Sequence, residues 1–498
     1  MDAQSKVTLM TVSPLAEPRQ RLDGQLGTGA IVFMVIAAAA PLTVIGGNVP
    51  IAIGSGNGPG APIGFALAAV ILLVFSVGFV TMTPFVKEAG AFFSYVTAGL
   101  GSRLGLGTAF TALVAYTAIQ VGVYGYMGWA VDDLVTFFGG PSLPWWLYSF
   151  ATMAIVAVLG YRHIDLSAKV LGIALALEIL VVVVLDVVIF ATGGADGIAL
   201  ETFDPANVFT GGIGVAVLFA LTGFIGFEAT AVFRDEARAP ERTIPRATYL
   251  AVIIIGVFYA ISCWALVTGV GAANAVAVAQ QTLAGEGNLL LDTTTQYLGP
   301  IVRDVVQVLL ITSLFACVLS FHNVIARYQF TLAQKSVLPA RLGRRHASHH
   351  SPAFSSVVQT ITAAIVLAVL AVLGLDPLVG VFGSMAGVAT VGMVLLMLTT
   401  SIAVLVFFAR RPELASGRSV KSRVFPVLAV IGLVLALWLV LSNFTLVTGG
   451  SVVVSTVLAL IPAAAMVVGI VWGRRFRLDA DPAEDDAAPD RAEERATS

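Results

Sequence analysis

The stretch GFIGFEATAVFRDEARAPERTIPRA, Gly223 to Ala247, decides how this chain is read. It opens apolar, with Gly223 and Gly226 three residues apart, and sets Glu228 into the run. From Arg234 it turns into dense charge. Glycine loosens a helix, and a carboxylate in an apolar helix needs a partner, a cavity or a bound cation. The sequence around it shows what kind of helix is being loosened.

The 498 residues are 58% hydrophobic and only 11% charged, where soluble proteins carry about 25%. The apolar residues fall in long continuous blocks, and about 20 such residues span a bilayer as a helix. The chain is therefore an all-α integral membrane protein; continuous rather than alternating runs exclude a barrel. About twelve spans are expected: 29–54, 61–84, 105–128, 145–161, 167–191, 212–233, 247–270, 301–333, 353–374, 379–408, 424–443 and 450–473.

With an even number of spans, both termini share one side. All but one of the 27 Lys and Arg residues then fall on that side, and the exception is Arg303. Basic residues collect in cytoplasmic loops, so both termini are expected in the cytoplasm. The first 28 residues lack an apolar signal region, and the first span is expected to direct insertion. Cys263 and Cys317 lie within spans and are expected to be free, buried thiols.

The loops add detail. The external connection 271–300 is expected to hold a surface helix at AVAVAQQTLA. The run from Arg234 to Arg246 reads as a cytoplasmic surface loop bearing ion pairs. His346, His349 and His350 lie in a basic loop without Cys or carboxylate neighbours, so no metal site is expected there.

Two spans are interrupted. The first carries Pro41, Gly46, Gly47 and Pro50 in its middle; the sixth carries Gly211, Gly212, Gly214, Gly223 and Gly226. Proline removes a helix hydrogen bond and glycine relaxes the backbone. Breaks five spans apart point to two repeats of five helices with a binding site where the broken helices meet. Kinked and glycine-packed helices are the alternative.

Two acids sit within spans. Glu178 lies halfway along the fifth, where an acid costs about 2.5–3.5 kcal/mol to insert, and a carboxyl group held out of water can carry a proton. It is read as the coupling group, with a buried structural hydrogen bond as the alternative. Asp186, eight residues on, is placed near the outer end, within reach of the interface. Glu228 has two readings: a proton-sensitive gate, or a carboxylate that satisfies backbone N–H groups freed at the break. Thr312, Ser313 and Ser320 are hydroxyls that could instead serve a sodium ion, although such groups commonly bond their own helix. His322 and Asn323 are expected to bond between helices. Tyr116, Gln120, Tyr124 and Tyr126 are candidates to line a cavity.

These features together resemble the amino acid–polyamine–organocation superfamily of secondary transporters. FIGFE (Phe224 to Glu228) and EARAPERTIPRA (Glu236 to Ala247) resemble that superfamily's sixth-helix motif. FVKEAGAFFSYVTAGLG (Phe85 to Gly101), YRHIDLSAKV (Tyr161 to Val170) and SFHNVIARYQFTLAQKSVLP (Ser320 to Pro339) resemble its other segments, in order. The first break departs: PLTVIGG (Pro41 to Gly47) stands where many relatives have Gly-Ser-Gly. At the level of Glu178 some relatives carry a lysine whose amino group fills a cation position.

The resemblance implies a five-plus-five inverted repeat with two further C-terminal helices and with the first and sixth helices broken. In that layout 1–28 is a cytoplasmic tail and 29–191 the first repeat. An external loop at 192–211 leads to the second repeat at 212–408, the added helices at 409–473 and a disordered cytoplasmic tail at 474–498. It implies an amino acid permease of the plasma membrane working by alternating access and coupled to protons. The alternatives are a polyamine or cationic amine carrier or exchanger, or a sodium-coupled symporter. Freed N–H groups suit a substrate carboxylate and freed carbonyls an ammonium, so the implied binding segments are Thr43, Val44, Ile45, Gly46 and Gly47 with Thr222, Gly223, Phe224, Ile225 and Gly226. Glu178 and Glu228 are the coupling and gating acids. The expected partners are the bilayer, the amino acid or amine, and a proton or sodium ion. No cofactor, metal or nucleic acid is expected. The oligomeric state is not set by the sequence. A convergent His, Asp or Cys set for intramembrane catalysis is missing from the spans, as is a Walker-type phosphate loop.

Overall fold

The computed structural model describes residues 26–86, 91–162, 168–232, 237–344, 346, 351–415, 417 and 419–475. Both tails beyond these limits, His349, His350 and the start of the charged run at 233–236 lie outside the described residues. What is described is helical, with no strand and one isolated bridge between Leu26 and Ala237.

The long helices are α1 (Thr28–Ala39), α2 (Ala61–Met82), α3 (Ser102–Phe137), α4 (Trp145–Arg162), α5 (Ala168–Thr192) and α6 (Ile213–Thr222). They continue with α7 (Pro240–Val270), α8 (Pro300–Gln334), α9 (Ala353–Val372), α10 (Ser384–Arg410), α11 (Phe425–Ser442) and α12 (Val452–Trp472). Nine segments among the described residues are long and apolar enough to cross a membrane. Twelve were expected, and three features account for the difference. Thr28–Phe85 runs as one segment through the first two expected spans. α4 has only 18 residues and ends on Tyr161 and Arg162. α6 stops after 10 residues, at the glycines.

Other boundaries also moved. α7 begins at Pro240, so the second half of the charged run, read as a loop, forms the first turns of that helix. Proline suits a first helical turn because its missing N–H would have no helical partner there. The helix expected at AVAVAQQTLA is present as Ala275–Ala284, and a second follows at Leu289–Leu298. Asn288 starts that second helix by accepting from the Leu291 N–H at 3.2 Å. Cys263 and Cys317 are free and buried.

In lipid, apolar side chains gain nothing by leaving the tails, so helices join through close packing of small residues. That is how this bundle is held. A methyl group added at Gly99 would lie 2.3 Å from the Ala403 carbonyl oxygen, and one at Gly214 would lie 2.1 Å from that of Leu439. α3 is the centre, packed by α4, α8, α10 and α12. α2 and α7 pair on the other side of the first break, and α5 closes on α7 and α8. The broken segments are held between these groups.

Candidate functional site

The sixth-helix break is where the glycines placed it. α6 ends at Thr222, residues 223–228 form successive turns, and helix resumes at Ala229. Gly226 sits at φ +112°, a conformation that side chains resist. Its freed N–H donates to Glu228 Oε2 at 3.0 Å. The other carboxylate oxygen accepts from the Tyr116 hydroxyl on α3. Glu228 thus bridges the break to α3.

The first break falls earlier than the glycines. α1 ends at Ala39, and Ala40 turns left-handed at φ +47° just before Pro41. From Val44 to Asn48 the chain is wound as a wide π-helix. Tyr259 on α7 donates to the freed Ala39 carbonyl at 3.2 Å. Asn48 ties the π-wound segment to α6 by donating to the Phe219 carbonyl at 2.8 Å. Gly46 and Gly47 make room for a ring: a methyl group on either would lie 2.6 Å from Tyr126.

The breaks touch. A methyl group at Gly223 would lie 3.1 Å from both Val44 and the Tyr259 ring. Phe224 stands edge-on to Tyr259, with 5.9 Å between ring centres. Ile45 and Ile225 are buried beside them. Thr222 bonds the Leu218 carbonyl at 2.8 Å and the Thr390 hydroxyl. Thr43 donates to Ser313 on α8 at 3.4 Å. Ser313 in turn donates to Glu178 Oε2 at 2.8 Å. The acid in the middle of α5 therefore reaches the first break through one hydroxyl.

Beside this junction lies a cavity of about 820 Å³. Its wall includes Ala37 and Ala38 of α1, Gly226, Glu228 and Ala229 of the sixth-helix region, and Tyr116. Glu178, Thr312, Ser313 and Ser320 add polar groups to a wall that is mostly apolar. Of the ten residues expected to bind substrate, only Gly226 is on that wall; the other nine pack behind it. Tyr116 lines the cavity, whereas Gln120, Tyr124 and Tyr126 are buried in helix contacts. The cavity extends to Phe33 and Arg327, both exposed, near the start of α1 and the end of α8.

At the opposite end polar side chains tie α3 to α8. Gln307 donates to Asp133 at 3.1 Å, and Arg303 to Gln307 at 2.6 Å. Arg303, expected to face water, is 7% exposed and lies against the Phe137 ring. Asp186 also differs from expectation. It is buried and accepts from Ser262 of α7 at 2.7 Å instead of reaching the interface. His322 bonds Ser356 across α8 and α9 at 2.7 Å.

The profile of one family, amino acid permease, matches residues 30–485. The chain belongs to the amino acid permease family. Membership puts this permease among membrane transporters, not enzymes. It is similar to a branched-chain amino acid permease of Bacillus subtilis, 24% identical over 447 residues, covering 84% of this chain and 88% of that one. An uncharacterized transporter of Mycobacterium tuberculosis is 25% identical over 326 residues, 58% of this chain and 63% of its own. The permease thus spans less than two thirds of that relative's length. An aspartate-proton symporter of Bacillus subtilis is 22% identical over 225 residues, 42% of this permease and 41% of the symporter.

Sequence reasoning missed Tyr259 and Asn48. Each sits in an apolar run that gives no sign of an unpaired carbonyl opposite. The pairing of Glu228 carries its own expectation. In Glu228→Gln, an amide keeps the size but loses a charge-assisted bond, so substrate affinity should fall only moderately, by about 1 kcal/mol or roughly fivefold. Equilibrium binding to purified permease measures this. Loss of all response to a proton gradient in that variant would instead make Glu228 the coupling acid.

Proposed function

We propose that this permease imports an amino acid across the cell membrane by alternating access, driven by protons. The observation that carries the reading is the broken sixth helix at Gly226, which opens on a cavity with Glu178 on its other wall. Glu178 bonds Ser313, and Ser313 bonds Thr43 at the first break. A change in protonation at Glu178 thus acts on the segment that holds one end of the substrate. The segments Thr43 to Gly47 and Thr222 to Gly226 form the deeper binding surface, sealed here by Tyr126, and substrate reaches it as that seal opens. The two five-helix halves, 29–191 and 212–408, move as inverted repeats, with 409–473 added outside them.

The cavity faces the cytoplasm in this reading, with both termini on that side. Thr312 spends its hydroxyl on its own helix, at the Leu309 carbonyl, 2.9 Å away. Uptake by purified protein in liposomes tests the function, using a panel of amino acids and putrescine with imposed proton or sodium gradients. Accumulation of an amino acid under a proton gradient alone is expected. Accumulation that needs sodium, or that is confined to putrescine, would overturn the reading.

The topology has its own test. Ile301, next to buried Arg303, is 79% exposed, and Arg344 is exposed as well. Single cysteines at these two positions, with Cys263 and Cys317 replaced, should react with an impermeant reagent from opposite sides of the membrane. Reaction of both from one side would remove the odd crossing between them.

A further inference from the structure

α5 carries two buried acids. Glu178 and Asp186 are eight residues apart, about 12 Å along the helix. Glu178 faces the cavity; Asp186 does not. Asp186 Oδ2 accepts from Ser262 at 2.7 Å, while Oδ1 is buried with no partner. Among the described residues the one salt bridge is Arg303 with Asp304, so no cation balances Asp186. A carboxylate accepts bonds at both oxygens, whereas the neutral acid has a hydroxyl to place. With one donor, one bare oxygen and no cation, this pocket leaves a buried carboxylate short of partners, and the neutral acid costs less to bury there.

The surroundings connect the two acids. Ser262 and Tyr259 are three residues apart on α7, about 4.5 Å of rise. The Tyr259 hydroxyl donates to the Ala39 carbonyl at the first break. The seam between α5 and α7 thus carries Asp186 bonded to Ser262, Tyr259 one turn along α7, and Glu178, which reaches the same first break through Ser313 and Thr43. On the outer side Thr293 also has a buried hydroxyl without a partner, and it lies beside Ile189, one turn beyond Asp186.

We propose that Asp186 is a second proton-binding site, which takes the coupling proton from the side opposite the cavity and passes it to Glu178. This rests on the proton-coupled reading above. The Asp186 carboxylate gains a proton from water when that side opens. Transfer along the seam protonates the Glu178 carboxylate and returns Asp186 to its anion. Glu178 then releases the proton to water in the cavity, so the count closes after one cycle.

Few other groups compete for that proton. From α7 come Tyr259 and Cys263, and from α8 come Cys317 beside Glu178 and the pair Arg303 and Asp304. The helix Leu289–Leu298 brings exposed Asp292 and Tyr297, whose hydroxyl donates to the Gly269 carbonyl at 2.8 Å. α1 and Pro41–Thr43 bring no titratable side chain.

Infrared difference spectra of the purified full-length protein across a pH titration give the direct test, with the proton itself as probe. Wild type should show a carboxylic C=O band that titrates and that is lost in Asp186→Asn. Replacing Glu178 by Gln should move its midpoint. In liposomes with L-leucine as the transported probe, Asp186→Asn should lower the apparent affinity for external protons about tenfold, one pH unit. Asp186→Glu should recover most of it and serves as the folded control. An unchanged spectrum in Asp186→Asn overturns the proposal, and so does a band that never titrates. If wild-type uptake ignores pH while the Asp186 band titrates, proton coupling itself fails, which separates the two ideas.

Discussion

Gly226→Val abolishes transport while the protein still reaches the membrane: this is the expected result with the largest effect. Gly226 holds φ +112° in the break. A β-branched residue in such a conformation is a genuine outlier, and the strain costs about 1–3 kcal/mol. Space adds a second penalty. A first methyl carbon would meet Ala38 at 3.5 Å, an ordinary contact, but the two further methyl groups of valine extend toward α1 and the cavity. Gly226→Ala should therefore keep part of the rate, since it adds the strain alone. The Gly226 N–H also anchors Glu228, so a shifted backbone releases the bond that steadies the break. Uptake per molecule in liposomes, for both variants beside wild type, is the measurement. Wild-type uptake in the valine variant would reduce Gly226 to a packing residue.

Glu178→Gln should separate accumulation from exchange. The amide keeps the length of the side chain and can still accept from Ser313, but it cannot gain and lose a proton. Accumulation under an inward proton gradient should fall at least about tenfold, which needs only about 1.4 kcal/mol of lost coupling. Counterflow between two loaded faces needs no empty, deprotonated carrier, and should continue. The two assays run on the same liposomes. If the variant accumulates substrate in response to pH as wild type does, Glu178 is structural. The coupling proton is then carried by another buried acid, Asp186 or Glu228.

The membrane class and most helices were legible because long apolar runs leave no other solution in lipid. The sixth-helix break was legible too, since Gly223 and Gly226 are the residues a positive φ and close contact require. The first break was displaced because Ala40 carries no such mark: nothing in an alanine announces φ +47°. Depth was easier to read than direction. The sequence places Asp186 two turns beyond Glu178, yet it does not say that Ser262 waits on the neighbouring helix. The same holds for Arg303, whose burial against Phe137 the sequence does not announce. Tyr126 looked like a cavity residue, but the side chains missing at Gly46 and Gly47 are what admit its ring.

The glycine contacts have a consequence for inheritance. Every single-base missense change in a glycine codon yields a residue with a Cβ. At Gly226 each such change meets the positive φ; at Gly99 and Gly214 each puts a carbon about two ångströms from a carbonyl oxygen of the next helix. No conservative mutational step exists at Gly99 or Gly214, and at Gly226 even alanine carries the backbone strain. A lineage can drift through its lipid-facing valines and leucines, but a glycine of this kind can only be kept or lost together with the backbone it touches.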